Sequence, residues 1–164
     1  MESLGVLILR LTFGIIFTLH GLHQFFGWFG GGTMPNVMDR LGFRPPRLWA
    51  SLCGLGNLVA GVMLALGALT FLGCALLITV MLVALIAVKL EKGFWERDGG
   101  YEYNLAVIGT AVAIGVMGPG PLSVDAVLMP ALVRPEWFPA ALILCLGVAA
   151  VGFARRRRPL VQEN

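Results

Sequence analysis

The chain has 164 residues, 58% of them hydrophobic and only 13% charged, against roughly 45–50% and about 25% in soluble domains. A single water-soluble core cannot hide that much apolar surface, which excludes an ordinary soluble domain. The net charge of +3 comes mostly from basic residues placed between or after apolar runs; anionic lipid headgroups are their nearer partner, and nucleic acid is not an expected ligand.

The first apolar run covers 4–26. It has no basic residue ahead of it and passes His20 without a cleavage-like small-residue site, so it reads as a retained helix, not a signal peptide. Four more runs follow at 48–69, 71–88, 101–117 and 137–153. Each is near the roughly 20 residues a helix needs to cross a bilayer, with about 17 as the lower limit; the last two are the shortest. The runs are continuous instead of alternating, which disfavours a barrel. The fold expected is an all-α membrane protein: a four-helix transmembrane bundle plus a fifth, C-terminal transmembrane helix. Residues 1–127 form the core in this reading, and 128–164 add the last helix and a basic tail.

The connectors have distinct characters. Residues 27–46 hold Gly30, Gly31 and Gly32, a short helical turn over 34–41 at the interface, then Pro45 and Pro46. Gly67 to Phe71 allow a tight antiparallel hairpin. Residues 89–100 are charged and end in Gly99 and Gly100, while Gly118, Pro119, Gly120 and Pro121 stop the fourth helix. Arg40, Arg44, Arg47, Lys89, Lys92, Arg97 and Arg155 to Arg158 fall on one side of a five-span chain, and Arg134 alone on the other. Positive loops stay cytoplasmic, so the amino terminus is expected outside and the carboxyl terminus inside.

Helices associate in lipid through close approach of small residues. In the second run Ala50, Gly54, Asn57, Gly61 and Ala65 recur every three or four residues and form such a seam, which turns Asn57 toward the bundle interior. In the first run Arg10, Gly14, Phe17, Gly21 and Gln24 share a face, with His20 at its margin and His23 pointing away. Two roles are open to this polar stripe: interhelical hydrogen bonding that fixes packing, or binding and proton relay. Arg10 and Asp125 are expected toward the same face and are read as a structural intramembrane pair, because a guanidinium in the membrane needs an acidic or carbonyl partner. No metal site is expected, since His20 and His23 splay apart on a helix; Cys53, Cys74 and Cys145 lie in different runs without a CxxC pair and read as small buried hydrophobes.

Several stretches resemble the DoxX family. Arg10-Leu11-Thr12-Phe13-Gly14, His20-Gly21 and Phe26-Gly27-Trp28 are similar to its opening; Gly93-Phe94-Trp95, Gly99-Gly100-Tyr101-Glu102-Tyr103-Asn104 and Gly118-Pro119-Gly120 with Ser123 and Asp125 resemble its later signatures. The resemblance runs from about residue 4 to 127. It implies a multi-pass protein of the prokaryotic cytoplasmic membrane, related to subunits of quinone-linked sulfur oxidation and to assemblies that handle thiol and oxidative stress. Gln24 stands where the family pattern has Lys, Asn57 where it has Glu, and Lys89 where it has His. Losing a cation and an anion together removes an ion pair without stranding a buried charge.

Three functions are compatible with these features. The first is an anchoring or scaffold subunit of a membrane redox or oxidative-stress complex, with no catalytic residue of its own, the bilayer and other redox subunits as partners, and a homo-oligomer as a further possibility. The second is an oxidoreductase subunit that binds a quinone between helices. An inner-side cluster of His20, Gln24, Lys89, Tyr101 and Glu102 is its candidate site, with His20 and Glu102 exchanging protons with the headgroup and Glu102 otherwise capping the fourth helix. The third, a small-solute permease, is weaker, because neither inverted repeats nor paired broken helices are visible.

Overall fold

A computed structural model describes residues 2–26, 34–128, 130–132, 134 and 136–156. Gly27, Trp28, the glycines 30–32 and the tail arginines 157 and 158 lie outside the described residues. Among the described residues the regular structure is entirely helical. In chain order these are α1 (Glu2–Phe26), the short α2 (Met34–Arg40), α3 (Pro46–Leu66), α4 (Thr70–Ala84), α5 (Glu102–Met117), the one-turn α6 (Val124–Leu128) and α7 (Trp137–Ala154). Beyond Ala84 the chain stays helical through a π turn, Leu85–Lys89, and a 3-10 turn, Leu90–Lys92.

Four segments are long and apolar enough to cross a membrane: Leu4–Phe26, Pro46–Leu66, Thr70–Lys92 and Trp137–Ala154. The C-terminal run thus meets the length requirement. The short segment is Glu102–Met117, whose 16 residues rise only about 24 Å. Each long helix leaves large side chains exposed, among them Ile8, Ile15 and Leu19 on α1 and Ile143 and Leu144 on α7, as lipid-facing surfaces require.

α1 and α3 run antiparallel in the closest contact of the bundle. Gly14 of α1 meets Ala65, Gly21 meets Leu58, and Gly61 of α3 lies against Thr18 and Gly14. A methyl group on Gly61 would fall 2.7 Å from Thr18 Oγ1 and 2.8 Å from Gly14 O, so the backbones approach there only because no side chain intervenes. α3 and α4 form the hairpin, turning at Gly67, whose φ of +65° is the left-handed conformation that glycine adopts without a Cβ penalty. α4 is covered by α5 and α7 on its other sides. The main core, including Phe17, Leu64, Phe71, Leu77, Ile114 and Phe138, sits where these helices converge. A second cluster, Met38, Phe43 and Ala50 with Trp49 and Phe153 against it, ties α2 and the following turn to the end of α7. Arg156 secures that joint by donating to Leu41 O and lying over the Phe43 ring, 5.5 Å from its centroid.

The alternation of directions sorts the polar groups to two ends of the bundle. One end holds the start of α1, the α3–α4 turn and the segment after α5; the other holds α2, the start of α3, the end of α4 and residues 93–101.

Candidate functional site

At the first end, Arg10 and Asp125 are buried to 1% and 2% exposure. Arg10 Nε donates to Leu64 O at 3.1 Å and Nη1 donates to Pro119 O. Asp125 accepts from Leu69 N at 2.7 Å, Thr70 N at 2.9 Å and Thr70 Oγ1 at 2.8 Å, while its own N–H donates to Gly67 O. The ion pairs among the described residues are Arg44–Asp39, Lys89–Glu96, Arg97–Asp98 and Arg134–Glu136. Arg10 and Asp125 therefore share a neighbourhood around Gly67, but carbonyls satisfy the one and the N–H groups of Leu69 and Thr70 with the Thr70 hydroxyl satisfy the other. A guanidinium fits the role because its fork spans carbonyls of two segments, and a carboxylate fits the exposed N–H groups that open α4. Together they latch the hairpin turn and the segment 118–128 onto α1.

At the second end the expected inner cluster separates into two groups. Lys89 Nζ pairs with Glu96 at 2.9 Å, Glu102 Oε2 accepts from Glu96 N at 3.2 Å, and the Tyr101 ring meets Phe94 edge-on at 5.6 Å. With Tyr101 N to Gly93 O at 3.2 Å and Glu102 N to Phe94 O at 2.9 Å, these contacts fold residues 93–102 on themselves at the mouth of α5.

His20 and Gln24 belong to the other group, and its third member is Asn57. Gln24 Nε2 donates to His20 Nε2 at 3.1 Å, one helical turn away, and Asn57 Nδ2 donates to Gln24 Oε1 across the α1–α3 seam at 2.8 Å. The two uncharged amides thus touch. Asn57 is 1% exposed, and its covered Oδ1 has no hydrogen-bond partner among the described residues.

These three side chains line a cavity of about 90 Å3. Its roof is α2, which presents Met34, Val37 and Met38, with Leu41 just beyond; its far wall is Met81, Ala84, Ala87 and Val88 of α4 and the π turn. The π turn widens the helix locally and brings Ala87 and Val88 to the cavity, a departure from regular helix that often accompanies functional sites. Asn104 of α5, buried at 3% exposure, donates to Met81 O at 3.1 Å just ahead of that turn. Lys89, Tyr101 and Glu102 do not line the cavity. Beside it lies an apolar groove of about 330 Å3 between α3, α4 and α7, walled by Trp49, Gly56, Leu76, Leu144 and Val148 among others. Groove and cavity share Phe43, Cys53, Val80 and Val83.

The α2 roof was open to sequence reasoning: Met34, Val37, Met38 and Leu41 have the i, i+3, i+4, i+7 spacing of an amphipathic helix. Asn104 carried no signal beyond being polar near an apolar run. For a metal, no group of three or more His, Cys, Asp or Glu side chains converges among the described residues.

Fold and site define a small multi-pass helical membrane protein with a largely apolar cavity, edged by His20, Gln24 and Asn57, under the short helix α2. The DoxX family model matches residues 5–90, more than half of the chain and from the first turn of α1 through the π turn, and the chain belongs to the DoxX family. It is 25% identical over 131 residues to an uncharacterized membrane protein of Mycobacterium tuberculosis, across 74% of this chain and 79% of that protein. It is 28% identical over 129 residues to CatD of Bacillus subtilis, named a putative oxidoreductase, across 75% of this chain and 86% of that protein. No solved structure matches the chain.

Proposed function

We propose that this chain is the membrane-embedded subunit of a redox assembly and that it holds a tailed quinol, with the headgroup at His20, Gln24 and Asn57 and the tail along the α3–α4–α7 groove. The observation that carries this reading is the buried, partnerless Asn57 Oδ1 beside a cavity. A buried acceptor without a donor costs about 1–3 kcal/mol, and a ligand hydroxyl removes that penalty. The cavity takes the polar edge of such a headgroup, and the adjoining groove, which unlike the cavity reaches the roughly 300–1,000 Å3 of ligand pockets, takes the ring and tail. The name of CatD and the quinone-linked chemistry implied by the family resemblance point the same way.

The assembly lies in the cytoplasmic membrane, with the end bearing α2 facing the cytoplasm. Arg40, Arg44, Arg47, Lys89, Lys92, Arg97, Arg155 and Arg156 all belong to that end, and Arg134 to the other. Reporter fusions to each terminus check the orientation: an active cytoplasmic reporter at the carboxyl end is expected, and an active external one refutes it.

The site is tested with the purified protein in nanodiscs and a short-tailed alkyl hydroquinone kept reduced. Binding is expected in the native protein, with affinity at least about ten-fold weaker in Asn57→Leu, the equivalent of one lost hydrogen bond. Equal affinity in a folded Asn57→Leu protein refutes Asn57 as the anchor.

A further inference from the structure

The three side chains at the cavity form a chain with a direction. As they stand, Asn57 donates to Gln24 Oε1 and Gln24 donates to His20 Nε2, which requires a neutral His20 with its proton on Nδ1. Oδ1 of Asn57 is the atom left over; it is covered as the site stands, so a ligand that donates reaches it only as the lining gives way.

A second arrangement uses the same positions. With a proton on His20 Nε2, that nitrogen donates and can no longer accept. Gln24 must then turn its Oε1 toward His20, which aims its Nε2 at Asn57. Asn57 turns its Oδ1 toward Gln24, and its Nδ2 becomes the free atom. Each amide rotates by half a turn about its terminal torsion, which is broad and nearly two-fold. An amide has one donor end and one acceptor end, so reversing one member of the chain reverses all of it. The cavity then offers a donor and takes a ligand that accepts.

We infer that His20, Gln24 and Asn57 act as a polarity relay: whether His20 Nε2 carries a proton decides whether Asn57 presents an acceptor, suited to a hydroquinone O–H, or a donor, suited to a quinone carbonyl. The inference rests on the proposed quinol reading for its ligand. Asn57 touches the ligand; Gln24 and His20 are positioning residues. No proton passes along the amides. Only the hydrogen-bond direction is transmitted. The relay therefore couples the binding preference of the site to the proton on Nε2, favouring hydroquinone in the neutral Nδ1–H tautomer and quinone once Nε2 is protonated, as it always is in charged His20.

The electrostatic surroundings leave His20 as the switch. Of the residues lining the cavity, only His20 and the Cys53 thiol of α3 titrate. His23 lies three residues along α1. Charges at the same end are Asp39 and Arg40 on α2, Arg44 after it, Arg47 on α3, Lys89, Glu91 and Lys92 beyond α4, Glu96, Arg97 and Asp98 ahead of α5, Glu102 on α5, and Arg155 and Arg156 after α7; Asp39 is paired with Arg44, Lys89 with Glu96, Arg97 with Asp98, and Glu102 accepts from Glu96 N.

The relay is tested first without ligand. Side-chain amide resonances of Asn57 and Gln24 are followed by nitrogen-15 NMR of the labelled protein in nanodiscs, from about pH 5 to 8, the range in which histidine switches. Both are expected to shift together with the His20 ring. In His20→Phe both stay constant, in Gln24→Leu only Asn57 loses its response, and in His23→Gln the response persists. Asn57 resonances that ignore His20, or that follow it unchanged in Gln24→Leu, overturn the relay. The second arm measures affinities of a short-tailed alkyl hydroquinone and its quinone across the same range. Their ratio is expected to move by about ten-fold toward the quinone as pH falls and to stay flat in His20→Phe. Binding of both with a constant ratio in the native protein overturns the selectivity claim. If the amides follow His20 but neither compound binds at any pH, the relay stands and the quinol reading fails.

Discussion

Replacing Arg10 by methionine keeps most of the side-chain volume and removes the guanidinium, so it isolates the hydrogen bonds that latch the first end of the bundle. Two charge-assisted bonds are lost, to Leu64 O and Pro119 O, worth about 1.5–3 kcal/mol each. Leu64 O keeps a second donor, Gly67 N at 3.2 Å, so the loss falls toward the lower bound, about 3 kcal/mol. By soluble-protein scaling that is a fall of roughly 6–12 °C in thermal midpoint for a chain of this size. The assay is thermal unfolding of the purified protein in detergent, with Asp125→Asn and the double variant beside it. Asp125 has three donors of its own, so it does not depend on Arg10 for satisfaction. The coupling energy of the double-mutant cycle is therefore expected to be well below either single loss. An unchanged midpoint in Arg10→Met refutes the two backbone contacts. A coupling as large as the single losses means that the cation and the carboxylate are bonded to each other.

Three more outcomes follow from the packing. Gly61→Ala forces a methyl against Thr18 and Gly14 and is expected to destabilise by about 1–3 kcal/mol, whereas Gly109→Ala, with no atom within 4 Å of the new methyl, is expected to be neutral or slightly stabilising; equal effects in thermal unfolding contradict the α1–α3 seam. Gly67→Ala combines a positive φ with a methyl 2.5 Å from Arg10 Cζ and is expected to cost at least about 1–2 kcal/mol from the backbone alone, so an unaltered midpoint shows that the turn is built differently. Lys89→Ala removes a partly exposed ion pair with Glu96 worth no more than about 1 kcal/mol, and a loss of several kcal/mol there would give residues 93–102 a larger part in stability than their contacts support.

Much of the bundle is legible in the chain because the membrane imposes simple rules. Runs of near-spanning length become helices since lipid offers no partner to a free backbone group, and the stripes of small residues on the first two runs mark the faces that meet. Burial of Arg10, Asn57 and Asp125 follows from the same polarity argument. Chain direction also assigns each polar residue to an end of the bundle. What the sequence does not encode locally is the azimuth of each helix. α4 is apolar on every side, since the helices packed around it need the same residues on each face, so no periodicity says which side meets α5, α7 or the cavity. That rotation sends Lys89, Tyr101 and Glu102 to one group and His20 and Gln24 to another, although all five lie at one end. Tertiary packing likewise decides that Arg10 finds carbonyls of α3 and residue 119 instead of a carboxylate, and that Gln24 meets Asn57 at 2.8 Å. Hydrogen bonds form between particular atoms within about 3 Å, a distance that only the seating of one helix on another sets.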